Sequence, residues 1–157
     1  MKCYTQAGGG TDLRWNLTID GQNSTSPTTD YAPPVLQSIS LLSGSGSASA
    51  NGNEKMVLTG SNFGPLGTHE LLDSVTFGPQ GRQYTAKDCV VTSLSREITC
   101  QTPPGIGSSL RFYVNIAGQT SVLSSTSMSY ALPVITTTSD VTIDTAGQTI
   151  DFTGTNF

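Results

Sequence analysis

Cys89 and Cys100 carry the clearest chemistry in this 157-residue chain. They flank Val90-Val91-Thr92-Ser93 and Glu97-Ile98-Thr99, two short β-prone runs joined by a Ser-Leu-Ser-Arg turn. Paired positions across such a hairpin lie within disulfide reach. Closing so short a loop gains about 2–3 kcal/mol. The competing reading is two buried free thiols in a reducing compartment. Three cysteines and one histidine cannot supply the four soft ligands of a structural zinc site. Cys3 has no partner by this pattern, and a sequence repeat described below places its mate upstream of Met1.

Other reactive groups are sparse. His69 stands beside Glu70 and Asp73, a set that invites a Ser/His/Asp reading, but no nucleophile elbow accompanies it. No catalytic residue is assigned, and the chain reads as a non-enzyme. Asp140, Asp144 and Asp151 lack the spacing of an EF-hand loop. They read as solvated loop carboxylates, with an inter-domain calcium site as the alternative, and no metal or cofactor is assigned. Asn16-Leu17-Thr18 and Asn23-Ser24-Thr25 are N-glycosylation sequons, so Asn16 and Asn23 are candidate glycan acceptors. Chance occurrence in a Ser/Thr-rich chain is the alternative, weighed equally. The tracts Ser24–Thr29, Ser121–Ser129 and Thr136–Ser139 read as polar faces or O-glycan carriers.

These groups must be positioned by strands. No segment keeps a helical period, whereas short alternating runs recur between Gly, Pro, Asn and Ser. Strands are expected near Val35–Ile39, Lys55–Thr59, Ser74–Phe77, Gln83–Thr85, Cys89–Thr92, Glu97–Cys100, Leu110–Ile116 and Met128–Tyr130. In the seventh, Phe112, Val114 and Ile116 face inward and Arg111, Tyr113 and Asn115 outward. Trp15, Leu17 and Ile19 should likewise point in, with Asn16 and Thr18 in solvent. Strands at this spacing form two packed sheets. The Ser/Gly-rich run Ser43–Asn53 reads as a flexible surface loop.

The sequence also repeats itself. Cys3 to Gly10 and Leu13 to Gln22 return 97 positions later as Cys100 to Gly107 and Leu110 to Gln119. Asp30 to Leu36 is answered by Ser129 to Ile135, 99 positions on. Val57 to Phe63 returns as Asp151 to Phe157, offset by 94. The expected organisation is the C-terminal part of one repeat (1–32), a complete repeat (33–132) and the N-terminal part of a third (133–157). The junctions Tyr31-Ala32-Pro33-Pro34 and Tyr130-Ala131-Leu132-Pro133 are short, and proline limits their freedom.

The ordered motifs resemble the IPT/TIG family of immunoglobulin-like domains, found in plexins, some transcription factors and many cell-surface proteins. The resemblance rests on Pro34 to Ile39, Thr59-Gly60-Ser61-Asn62-Phe63-Gly64, Val75-Thr76-Phe77-Gly78, the Cys89/Cys100 hairpin, Thr102-Pro103-Pro104-Gly105 and Tyr130-x-x-Pro133. It covers the middle repeat and both partial ones. It implies an all-β fold of immunoglobulin-like β-sandwich repeats in tandem, with Phe63 as a core plug, but no single function. The upstream segment departs from the pattern with Ala7-Gly8 where Pro104-Gly105 stands later.

A net charge of −4, with charged residues only 11% of the chain and no basic cluster in the sequence, argues against nucleic-acid binding. No apolar run approaches the roughly 20 residues of a membrane span. The functional expectation is an extracellular or cell-surface structural protein, a stiff glycosylated rod that self-associates into filaments. Two alternatives are a spacer in a plexin-like receptor ectodomain and a carbohydrate-binding module using Tyr84 or Tyr113 as platforms.

Overall fold

The computed structural model describes residues 1–67, 70–136, 142, 145–147 and 149–157. All regular elements among them are strands. In chain order, β1 (Leu13–Arg14), β2 (Thr18–Ile19), β3 (Gln22–Asn23) and β4 (Thr28–Thr29) come first. The central unit holds β5 (Val35–Leu41), β6 (Lys55–Ser61), β7 (Leu72–Gly78), β8 (Tyr84–Thr85), β9 (Lys87–Ser93), β10 (Glu97–Gln101), β11 (Leu110–Ile116), β12 (Gln119–Thr120) and β13 (Ser127–Met128). The last pair is β14 (Val134–Ile135) and β15 (Gly154–Thr155).

Two antiparallel sheets make the central sandwich. One runs β5-β6-β10-β9; the other runs β12-β11-β7-β8, with β13 also on β11. Alternation decides what lies between them. Along β11, Leu110, Phe112, Val114 and Ile116 are buried and the residues between them are not. Phe112 sits directly opposite Phe77 on β7, and the two rings stack at 4.8 Å. Met56, Leu58 and Ile98 face them from the other sheet, and Phe63 plugs the end of the core, fully buried.

The outer edge of β11 is interrupted between β12 and β13, and two serines mend it. The Ser121 and Ser124 hydroxyls accept from the Val114 and Phe112 amides at 3.0 and 2.9 Å. Both serines are buried polar residues whose burial is tolerable because they complete the ladder.

Three expectations need correction. The Ser43–Asn53 run is anchored rather than free. Ala48 is fully buried and bridges to Tyr130, donating to Ser129 O at 2.8 Å and accepting from Ala131 N at 2.7 Å. A methyl group on Gly52 would strike the Pro103 carbonyl carbon. Second, Tyr130 belongs to that bridge and not to a strand. Third, Trp15, Leu17 and Ile19 are not inward-facing. They are 41%, 40% and 61% exposed, because no second sheet among the described residues covers them.

Matched stretches of sequence nevertheless take matched backbone. Asp12, Asp20, Gly10 and Gly21 adopt φ of 56°, 48°, 104° and 74°; Ser109, Ala117, Gly107 and Gly118 adopt 55°, 48°, 108° and 78°. Leu13 pairs with Thr29 as Leu110 pairs with Met128. Val134–Ile135 meets Thr155–Gly154 in the register in which Val35–Leu36 meets Ser61–Gly60. Asn62 and Asn156 both occupy the left-handed region, and each Nδ2 donates to the carbonyl of a residue just before the first strand, Pro33 at 2.9 Å and Leu132 at 3.1 Å.

Candidate functional surfaces

The Cys89–Cys100 bond is present, joining β9 to β10 with a Cα separation of 4.1 Å. The hairpin reverses where expected: Arg96 N–H donates to Ser93 O at 3.0 Å and Ser95 takes a positive φ. Cys100 is fully buried in the core, while Cys89 is half-buried beside it. Cys3 is an exposed free thiol.

Of the candidate acid–base set, only Asp73 and Glu70 are among the described residues. Asp73 is occupied structurally, its Oδ2 accepting from Gly118 N–H at 2.7 Å to hold the turn after β11. Glu70 is exposed, and His69 lies outside the described residues. Asp151 is exposed, whereas Asp140 and Asp144 also lie outside the described residues. Among the described residues no three metal-capable side chains gather.

Asn16 and Asn23 are both exposed. β2 and β3 form a tight hairpin with Thr18 directly opposite Asn23, and the Thr18 hydroxyl donates to Asn23 Oδ1 at 2.6 Å. That bond leaves the Asn23 amide nitrogen, the atom a glycan would take, outside the pairing.

The aromatic platforms fare unequally. Tyr84 is half-buried, 5.2 Å from Phe77 and 5.7 Å from Tyr130, and its hydroxyl is tied to the Ile106 backbone, so it is a core residue and not a platform. Tyr113 faces a shallow polar groove of about 300 Å³, but Arg82 lies over its ring at 5.3 Å. A hollow of about 570 Å³ lies on the uncovered apolar face of β1, lined by Leu13, Trp15 and Tyr31.

Tyr130 closes the core beneath Gly105, donating its hydroxyl proton to Pro103 O at 2.7 Å. Burial, with a lesser contribution from neighbouring Tyr84, pushes its pKa up to about 12.

The contact that sequence reading misses is Gln119. Its Oε1 accepts from Gly10 N–H at 3.0 Å, and its Nε2 donates to Tyr31 O at 2.7 Å. One side chain of the central sandwich thus holds the segment before it. The only signal was the recurrence of Gly-Gln in Asp20-Gly21-Gln22 and Ala117-Gly118-Gln119.

No curated protein and no solved structure matches the chain. The IPT/TIG domain profile matches residues 34–130, which takes in both sheets of the sandwich, its disulfide and its closing tyrosine. The chain therefore belongs to the IPT/TIG domain family.

Proposed function

We propose that this chain is part of an extracellular structural array, in which IPT/TIG sandwiches follow one another as a stiff, glycosylated rod that self-associates into filaments. IPT/TIG domains are non-catalytic immunoglobulin-like units that occur in cell-surface receptors and transcription factors. Residues 1–32 and 133–157 are taken as parts of repeats on either side of the complete repeat 33–132. The observation that carries this reading is the matched backbone of the three segments, down to the same positive-φ positions and the same asparagine corner.

Two further features support an extracellular setting. The disulfide fits an oxidising environment, and both sequons are exposed. No helix of the described residues is long and apolar enough to cross a membrane. Occurrence of the family in receptors favours a second reading, a spacer in a plexin-like ectodomain. The carbohydrate-binding alternative loses support, since Tyr84 is in the core and Arg82 covers Tyr113.

Electron microscopy of the protein from its natural source tests the proposal. Beaded filaments are expected. Isolated strings ending in a distinct globular head would replace the structural-polymer reading with the spacer reading.

A further inference from the structure

At the corner formed by Gly10 and Tyr31, the Tyr31 N–H donates to Gly10 O at 2.9 Å. This leaves the Gly10 N–H and the Tyr31 carbonyl side by side, and the Gln119 amide satisfies both. A planar carboxamide suits the task because it presents one acceptor and one donor in a fixed fork. The turn that carries Gln119 is itself fixed from the other side. Ala117 N–H donates to Leu71 O at 2.7 Å, and Gly118 N–H is held by Asp73. Approach is close: a methyl group on Gly9 would come within 3.1 Å of Ile116 Cγ2 and 3.3 Å of Ala117 Cβ.

The same parts recur at both ends. Gln22 ends the Asp20-Gly21-Gln22 turn, which is exposed. Tyr130 N–H donates to Gly107 O at 2.8 Å, reproducing the receiving corner, yet among the described residues no side-chain amide reaches it. Beside it lies an apolar hollow of about 460 Å³ lined by Ile106, Leu132, Pro133 and Phe157.

We propose that the Ala117–Gln119 turn is an orientation-setting clasp between successive repeats, and that the Gly107/Tyr130 corner with its apolar hollow is the docking surface for the corresponding Gly-Gln turn of a following repeat. The proposal rests on the tandem-array reading above. It also specifies the partner. Ile106 stands where Gly9 stands in the first corner, so the following turn must carry a residue smaller than Ile116 at the facing position, or sit further off.

Amide hydrogen exchange of the full chain, read residue by residue by NMR, tests the clasp. Gly10 N–H should exchange about tenfold faster in Gln119→Ala than in the unaltered chain, the scale of losing a paired hydrogen bond, while Phe112 and Val114 amides are unchanged. Gln119→Glu keeps the acceptor for Gly10 but not the donor to Tyr31, and should fall between. Gln22→Ala should leave Gly10 unaffected. Residual dipolar couplings should fit one alignment frame for residues 13–31 and the sandwich in the unaltered chain, and two in Gln119→Ala. Equal Gly10 exchange in the unaltered chain and Gln119→Ala, or loss of core protection along with Gly10, overturns the clasp. This result is distinguishable from the microscopy: filaments without Gly10 protection would sink the clasp alone, and Gly10 protection without filaments would sink the self-association reading alone.

Discussion

Replacing both Cys89 and Cys100 with alanine isolates what the cross-link contributes. The bridge joins residues separated by 11 positions. Loop-closure entropy for a ring of that size amounts to about 3 kcal/mol at 25 °C, acting on the unfolded chain. Alanine is a small change at Cys100, which is fully buried, and smaller at half-buried Cys89, so packing adds little. For a sandwich of this size each kcal/mol moves the melting temperature by about 4–8 °C, which gives a drop of roughly 12–24 °C. Urea unfolding followed by tryptophan-independent far-UV signal, beside a thermal melt, measures both quantities. The unaltered chain in excess reductant serves as a chemical control and should fall by a similar amount. The urea m-value should rise, because the unfolded chain is released from its ring and exposes more surface. A loss below about 1 kcal/mol, with the unaltered chain shown to be oxidised, would refute the loop-entropy reasoning.

Phe112→Ala should cost about 3–5 kcal/mol, since it empties the space against Phe77, whereas Trp15→Ala, at the matching position on an uncovered face, should cost under about 1 kcal/mol by the same urea assay. Asn62→Ala loses both a left-handed conformation that asparagine tolerates and the bond to Pro33, and should destabilise by about 1–2 kcal/mol; Asn62→Gly should recover part of that loss. The Tyr130 hydroxyl is held protonated by its burial, so its contribution is complete below pH 10 and is lost as pH rises from about 10 to about 12; stability measured across that window should fall more steeply than in Tyr130→Phe. Secretion from a eukaryotic host should add glycan mass that Asn16→Gln and Asn23→Gln each reduce by one chain.

The middle sandwich is legible because its signals are local. Leu110 to Ile116 alternates strictly, and a strand buried on one face must do so. Cys89 and Cys100 sit on the two arms of a hairpin closed by a four-residue turn, so their meeting follows from chain reversal alone. What escapes is set by neighbours remote in sequence. Ala48 sits in a Ser/Gly tract that reads as mobile, and only its pairing with Tyr130 makes it core. Tyr84 has the amphipathic look of a surface aromatic, and its burial depends on Phe77 from β7 and on Tyr130 from the closing segment after β13. Trp15 carries the pattern of an inward residue, but among the described residues no sheet lies across from it. Gln119 is an ordinary polar residue until Gly10 and Tyr31 are brought beside it.

The exchange of Gly9 for Ile106 bears on the mechanics of any array built this way. A string of identical joints can only wind into a uniform coil. Here one corner admits a backbone to near contact and the next presents a branched side chain at the same place. In such an array each joint would have its own bend, written in one or two residues of the corner and of the turn that meets it. The contour of the whole would be encoded joint by joint, so that a single substitution at a corner glycine would redirect everything beyond it while leaving every sandwich intact.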